Sequence, residues 1–219
     1  MVIVPKEYIP VGDPFVFNAF LIQYGRFHSD STNTVIHLVF IPILVCTMMG
    51  LFEYTALMEF FNLNVMGLDK GHYHVLTFMP VFWCLLSMFY IKVEPIIGTM
   101  AWLFGITLWA IESWLRTMDE SHFGGNLYYY ILAVHIFGWT TQFVGHGVFE
   151  QRAPAITTNL LFLFIAPFFV CFEVMTMFGY KQDEVRTATL VIEADIAHYR
   201  LSKGMPMRKG IRVESSKTD

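Results

Sequence analysis

Charged residues are scarce in this chain. They make up 15% of its 219 residues, whereas 55% are hydrophobic and the mean hydropathy is +0.51. A soluble domain must cover its surface with polar side chains, so the composition excludes an ordinary water-soluble protein and indicates an integral membrane protein. Internal repeats, low-complexity runs and long polar linkers are also missing from the sequence, which favours a single membrane domain.

Cysteine is nearly as scarce. The chain has three cysteines, an odd number, and they show no Cys-x-x-Cys spacing. All three lie in apolar runs: Cys46, Cys84 and Cys171. This pattern excludes a disulfide framework and a thiolate zinc site, and the three residues are interpreted as small hydrophobic core residues.

Two short signals are absent as well. The N-terminal segment, residues 1–15, has no basic region followed by a long apolar core, so no cleaved signal peptide is expected. No Gly-x-Ser-x-Gly turn frames any serine, which leaves a hydrolase-type nucleophile without support.

What the chain does contain is a series of apolar segments. About 20 helical residues cross the ~30 Å hydrocarbon core of a bilayer. Five segments approach that length: Thr34–Phe52, Val75–Ile91, Pro95–Ile111, Leu127–Phe149 and Asn159–Phe178. The predicted fold is an all-α polytopic membrane helix bundle with about four to five transmembrane helices. Its predicted parts are an N-terminal interfacial segment (1–33), the membrane helix bundle (34–180) and a basic polar tail (181–219).

The fifth apolar segment leaves the topology open. Pro167, near its middle, is compatible either with a kink in a spanning helix or with the turn of a re-entrant hairpin. A spanning segment puts the two termini on opposite sides of the membrane, whereas a hairpin returns the tail to the side where the chain began.

The tail carries more than half of the 14 Lys and Arg residues. This asymmetry predicts that the tail lies on the cytosolic or otherwise positive side. Acidic residues interleave with the basic ones, so no nucleic-acid partner is expected, and contact with the lipid bilayer surface is favoured.

Polar residues concentrate at the ends of two apolar segments. The stretch WTTQFVGHGVFEQRAPA, Trp139 to Ala155, contains Gln142, His146, Glu150 and Arg152, and a second cluster near the first segment contains His28, Asn33 and His37. Polar side chains in hydrocarbon are costly and usually face a cavity, a bundle interior or a metal.

Helical spacing puts these residues in register. Asn33 and His37 are four residues apart and share a face, and His135, Gln142 and His146 lie within about 25° of one line on the fourth helix. Four crossings return the end of the fourth helix to the side where the first begins. We therefore expect the two clusters to meet at one membrane face, with His135 about 16 Å deeper along the axis.

Imidazole ligands with no thiolates suit iron, zinc, copper or nickel. Two or three histidines with open positions are the usual arrangement for non-haem Fe(II) oxygen chemistry. From the residues alone iron and zinc are near equal, and a single membrane histidine that only hydrogen-bonds a carbonyl is the alternative at each position.

The motifs resemble the membrane 2-hydroxy fatty acid dioxygenase family, whose fungal member acts in the endoplasmic reticulum on the phytosphingosine degradation route. The resemblance covers most of residues 14–180. It rests on QFVGHGVFE with the following RxPA and on a set of single residues: Tyr24, His28, Asn33, His37, Pro42, Asn159, Pro167 and Glu173. The chain departs from the family in having Thr158 where an acidic residue often precedes the asparagine.

This resemblance implies Fe(II)-dependent α-oxidation, in which dioxygen cleaves the bond between the carboxyl and hydroxyl-bearing carbons of a 2-hydroxy fatty acid. The implied metal ligands are His28, His37 and His146, with His135 matching less securely. Glu150, Gln142 and Asn33 are the implied catalytic residues, Glu150 being either a fourth ligand or the acceptor that orients a histidine. Arg152 and Trp139 are the candidates for substrate binding, Arg152 by holding the carboxylate unless it only pairs with Glu150.

A second hypothesis is a non-catalytic accessory subunit that keeps this fold inside a larger membrane complex with protein partners. The retained histidines favour the enzyme. The resemblance favours the endoplasmic reticulum, and a mitochondrial inner membrane location is the alternative.

Overall fold

The computed structural model describes residues 2–4, 17–53, 78–157, 160–207 and 211–213. In chain order these residues form β1 (Val2–Val4), α1 (Phe17–Gly25), α2 (Ser31–Glu53), α3 (Phe78–Val93), α4 (Pro95–Thr117), a π-helical turn (Asp119–Phe123), α5 (Leu127–Val144), a second π-helical segment (Gly145–Glu150), a 3-10 turn (Ala155–Thr157), α6 (Leu161–Met177), α7 (Gln182–Ser202) and β2 (Ile211–Val213). The two short strands pair in parallel. The predicted all-helical bundle is confirmed.

Four of the predicted apolar segments match α2, α4, α5 and α6. Their ends agree within three residues, except that α4 continues to Thr117, six residues beyond the predicted Ile111, and that α5 ends at Val144, where the π-helical segment that contains Phe149 begins. The second matches α3, although its predicted start at Val75 and the polar link before it lie outside the described residues. By length and composition, α2 and α4 are long and apolar enough to cross a membrane, and α6 with α7 counts as a third crossing if that bent pair is one span. The helix α3 is apolar but shorter.

Pro167 does not mark a turn. It lies inside the continuous helix α6, and the chain instead bends by 117° between α6 and α7. At that bend Gly179 has a φ of 89° and Lys181 a φ of 50°, left-handed conformations that end a helix. The polar tail therefore starts with a helix, α7, that packs against α1.

The core has two parts that meet along α6. One is formed mainly by aromatic side chains of α1 and α6, among them Phe17, Phe20, Phe168 and Phe172. The other lies between α2 and α3 and includes Met49 and Trp83. α2 packs against α4, α5 and α6, so its first turns lie at the centre of the bundle end that carries the polar clusters.

Candidate metal centre

Three histidines from three separate elements meet at one end of the bundle. His28 lies between α1 and α2, His37 lies in the second turn of α2, and His146 lies in the π-helical segment after α5. Their ring centroids are 4.3 Å (His28 to His37), 5.0 Å (His28 to His146) and 4.9 Å (His37 to His146) apart. One nitrogen from each ring lies within 4.8 Å of the others, which forms a candidate metal centre.

The local sequence explains why His28 lies outside α2. The Asp30 carboxylate caps the helix by accepting hydrogen bonds from the backbone N–H of Thr32 (2.9 Å) and of Asn33 (3.2 Å). His28 is therefore free to turn toward the side chain of His37, which α2 buries on the same face as Asn33.

Backbone carbonyls fix the tautomers of two of the rings. His28 Nδ1 donates to the Tyr24 carbonyl at 3.0 Å, and His37 Nδ1 donates to the Asn33 carbonyl at 2.9 Å. Because a carbonyl oxygen only accepts, both protons lie on Nδ1 and both Nε2 atoms keep a lone pair. This is how backbone groups usually orient histidines that bind metals.

Electrostatics keep His28 neutral. Desolvation lowers its pKa well below the usual range, and the neighbouring His37 and His146 lower it further, outweighing the hydrogen bond to Tyr24, which raises it. A neutral imidazole is the form that binds a metal ion.

Aromatic stacking holds the His28 ring in place. Tyr24 stacks on His28 with ring centroids 4.1 Å apart and on Phe169 of α6 at 4.2 Å. The three rings form a continuous stack that links α1 and α6 to the candidate metal centre and leaves His28 little rotational freedom.

Two buried polar side chains at the centre lack a protein partner among the described residues. His146, 3% exposed, has no hydrogen bond at Nδ1, and Gln142, 4% exposed, has none at either amide atom. Buried polar atoms are nearly always satisfied, so these orphans point to a ligand that the protein itself does not supply. The all-nitrogen donor set fits a borderline divalent ion such as iron or zinc.

Glu150 was expected to be a fourth ligand or to orient a histidine, but its carboxylate is hydrogen-bonded to groups before and in the first turn of α2. It accepts hydrogen bonds from the backbone N–H of Ser29 (3.0 Å) and of Asp30 (2.9 Å), from the Ser29 hydroxyl and from Asn33 Nδ2 (3.3 Å). Its carboxylate thus lies at the N-terminus of α2, where the helix dipole favours an anion, and is not grouped with the three histidines. Glu150 acts on the site by joining the segment of His146 to the segment between His28 and His37.

Asn33 also takes part in the connection that Glu150 makes between the start of α2 and the segment of His146. Its side chain is fully buried and donates to the Phe27 carbonyl at 3.1 Å as well as to Glu150. Gly145, next to His146, lies against it, because a Cβ at residue 145 would come within 2.5 Å of Asn33 Oδ1. This glycine allows the end of α5 to approach the start of α2.

His135, expected among the ligands, lies outside the three-histidine group. Trp139 Nε1 donates to His135 Nε2 at 3.0 Å, and His135 Nδ1 is 2.8 Å from the Thr47 hydroxyl. Both ring nitrogens are therefore used within the bundle, about three helical turns deeper than His146.

Arg152, expected to bind the substrate carboxylate, instead forms an ion pair with Asp195 of α7 at 3.0 Å. It also donates to the Arg26 carbonyl at 3.0 Å, and its guanidinium lies over the rings of Phe27 and Tyr199 at 4.3 and 4.5 Å. These contacts engage it on the α7 side, and it does not line the cavity described next.

An apolar cavity of about 60 Å³ opens onto the histidines. Its wall contains all three histidines, Gln142 and Trp139, and the rest is largely apolar side chains of the 3-10 turn and α6. A second, more polar cavity of about 320 Å³ reaches His28 from the other side, between α1, α6 and α7. The arrangement can hold an ion in contact with a mostly apolar molecule that carries a polar group near Gln142.

Some site residues were not predicted from the sequence. Thr47 and Asp195 are the partners of His135 and Arg152, and nothing in their spacing indicates this, because both contacts join distant parts of the chain. The Ser29 and Asp30 backbone groups that donate to Glu150 were not predicted either. The available signal is the run Ser29 to Thr32, because all four residues are of types that commonly cap helices and one helix start needs only one cap.

The family model described as 2-hydroxy-palmitic acid dioxygenase Mpo1-like matches residues 15–178. The 2-hydroxy-palmitic acid dioxygenase MPO1 of Saccharomyces cerevisiae is 27% identical to this chain over 158 residues, which cover 72% of this chain and 78% of the yeast protein. No solved structure matches the chain. The family resemblance expected from the motifs is confirmed, and this chain belongs to the Mpo1-like family.

Proposed function

We propose that this protein is an Fe(II)-dependent dioxygenase that shortens 2-hydroxy fatty acids by one carbon at the membrane of the endoplasmic reticulum. Family membership supports the dioxygenase role and the substrate class. The observation that carries the proposal is the meeting of His28, His37 and His146 in an apolar cavity that also contains the unpartnered amide of Gln142.

His28, His37 and His146 are the residues that would hold the ion. When bound, Fe(II) supplies open positions at which a 2-hydroxy acid and dioxygen react side by side. The carbonyls of Tyr24 and Asn33 keep two of the rings in the tautomer that has a free Nε2 lone pair.

Gln142 is the residue best placed to orient the polar end of the substrate. Its amide N–H can donate to a carboxylate oxygen, and its amide oxygen can accept from the 2-hydroxyl group. The apolar walls exclude water, which strengthens both hydrogen bonds and protects the reaction from side reactions.

The overall conversion needs no further reductant. One 2-hydroxy acid and one dioxygen balance to the acid one carbon shorter, carbon dioxide and water. The hydroxyl-bearing carbon loses three electrons and the carboxyl carbon loses one, and dioxygen accepts all four.

The test is to purify the protein in detergent without oxygen, load Fe(II), and measure dioxygen uptake with 2-hydroxypalmitate. Equal amounts of dioxygen consumed and shorter acid formed support the proposal. Palmitate, which lacks the hydroxyl group, is the matched control substrate and should give no uptake. If the protein bound iron but turned over no 2-hydroxy acid, the proposed dioxygenase function would be overturned.

A further inference from the structure

A third cavity lies directly beyond the one that contains the histidines. It has a volume of about 180 Å³ and lies between α2, α3, α5 and α6. The two cavities share four wall residues, Ile41, Trp139, Leu163 and Ala166. They are therefore neighbouring spaces separated by a few side chains.

One face of α2 runs along both spaces. Ile41 lies four residues after His37, Leu44 and Val45 lie three and four residues after Ile41, and Met48 lies four and three residues after those two. These five side chains therefore form one stripe on the helix. From His37 to Met48 this stripe covers about 16 Å at 1.5 Å per residue. The stripe begins with a candidate metal ligand and continues only with apolar side chains.

The far space is apolar. Its walls include Met48, Phe82, Trp83 and Leu86, and Trp83 is 1% exposed. The indole N–H of Trp83 donates to the Ala101 carbonyl at 3.1 Å, so the Trp83 ring presents only carbon atoms to the cavity.

Among the described residues that line this space, His135 is the one ionisable side chain, and both of its ring nitrogens are occupied. The indole N–H of Trp139 can only donate, so His135 Nε2 accepts and the ring proton lies on Nδ1, facing the Thr47 hydroxyl. That hydroxyl in turn donates to the Ile43 carbonyl at 2.8 Å. This chain of hydrogen bonds holds Trp139 at the junction of the two cavities.

We propose that the two cavities form one acyl channel, in which the substrate chain runs from the histidines past Trp139 and ends in the space lined by Met48, Phe82, Trp83 and Leu86. His135 is a positioning residue that fixes the Trp139 ring at the junction. This inference rests on the proposed function, since the occupant is the hydrocarbon chain of the 2-hydroxy acid. The far space then sets which chain lengths are accepted.

Substitution at the junction tests the channel. Ala166→Leu should lower kcat/KM for 2-hydroxypalmitate by about tenfold or more and leave 2-hydroxyoctanoate within about twofold, because only the long chain must pass residue 166. Ala133→Leu, on an exposed position of α5, is the matched control and should change neither value. An equal loss for both substrates, or no loss for either, overturns the channel.

His135→Phe tests the positioning role. The variant should bind Fe(II) like the unmodified protein and should shift the preferred chain length, because Trp139 loses its acceptor. Loss of iron binding, or an unchanged length profile, overturns the role assigned to His135.

Photolabelling of the unmodified protein tests the channel without turnover. A 2-hydroxy acid of palmitate length with a diazirine at its methyl end should label Met48, Phe82 or Leu86, and excess 2-hydroxypalmitate should suppress this labelling. Labelling confined to exposed residues such as Leu85 or Met88, or labelling that palmitoyl lipid suppresses equally well, overturns the proposal. Because the labelled position is read from the apo protein, a failure of the dioxygenase reaction and a failure of the channel are distinguishable.

Discussion

Two histidines on the same polar stripe, His146 and His135, differ in whether their rings are available to a metal ion. They lie on the same line of α5 and its continuation, yet only His146 lies with His28 and His37, whereas His135 is hydrogen-bonded to Trp139 and Thr47. Spacing alone cannot separate them, because both lie on one polar stripe. The partners of each ring decide which nitrogen is left for an ion.

We therefore predict that His146→Ala abolishes Fe(II) binding, because two remaining histidines hold an ion much more weakly than three. His135→Ala should retain the full iron stoichiometry. The measurement is iron content after anaerobic loading and desalting, with His122→Ala, an exposed histidine, as the control. Full iron retention by His146→Ala would contradict its assignment as a ligand.

Gln142 illustrates how a residue with a proposed role in substrate binding can lower the stability of the ligand-free protein. Its buried amide has no partner among the described residues, so the ligand-free protein bears a desolvation cost of about 1–3 kcal/mol. We predict that Gln142→Met raises the melting temperature of the apo protein and lowers kcat/KM for the 2-hydroxy acid by about tenfold or more, with iron content unchanged.

The checks for Gln142 are thermal unfolding in detergent and steady-state kinetics on the same samples. Gln23→Met, in α1 and outside the histidine cavity, is the matched control and should alter neither property. A lower melting temperature together with unchanged kinetics would show that the amide has a structural role only.

At the scale of the helices, Glu150 connects the π-helical segment to the N-terminus of α2 by hydrogen bonds. One carboxylate receives hydrogen bonds from the backbone of Ser29 and Asp30 and from the side chains of Ser29 and Asn33. The N-terminus of α2 and the segment that carries His146 are thereby joined across more than a hundred residues of sequence.

We predict that Glu150→Ala destabilises the protein by about 2–4 kcal/mol, because it leaves the donor groups of Ser29, Asp30 and Asn33, in and just before the first turn of α2, without their acceptor. Glu150→Gln, which keeps an accepting oxygen, should recover part of this loss. Thermal and denaturant unfolding of the apo protein measures the effect, and Glu120→Ala, at an exposed acid, serves as control. If Glu150→Ala reduced iron binding with no loss of apo stability, a ligand role for Glu150 would be favoured instead.

Features that depend on local sequence pattern could be predicted from the sequence. The helix limits of α2 and α6 follow from apolar length and from breakers, whereas α4 continues six residues beyond its predicted end at Ile111. The meeting of His28, His37 and His146 was predicted from helical spacing and from an assumed count of four crossings, and the structure confirms the meeting. By length and composition only α2 and α4 are long and apolar enough to cross a membrane singly among the described helices. The partners of Glu150, Arg152 and His135 could not be predicted, because each contact joins elements whose relative rotation is set by packing. Pro167 was equally ambiguous, since a proline in an apolar run fits both a kink and a turn.

Across the whole molecule, α7 contacts both sides of the candidate metal centre through a single carboxylate. Asp195 pairs with Arg152, six residues after His146, at 3.0 Å and with Arg26, two residues before His28, at 3.4 Å. The residues of the polar tail thus contribute to the geometry of a site that lies in the apolar bundle. The side chains of all three are less than a fifth exposed, so solvent screens these pairs only in part.

We predict that Asp195→Ala destabilises the protein by about 1–3 kcal/mol and weakens Fe(II) binding, because the segments that carry His28 and His146 lose their common anchor. For a chain of this size the loss corresponds to a fall in melting temperature of several degrees. Asp183→Ala, at an exposed acid of the same helix, should leave both properties unchanged.

A double-mutant cycle that combines Asp195→Ala with Arg152→Gln measures the coupling between these two side chains directly, and non-additive losses of stability are expected for a pair in contact. Additive losses, with an increased KM for the 2-hydroxy acid in Arg152→Gln alone, would instead assign Arg152 to the substrate carboxylate and leave α7 without an anchoring role.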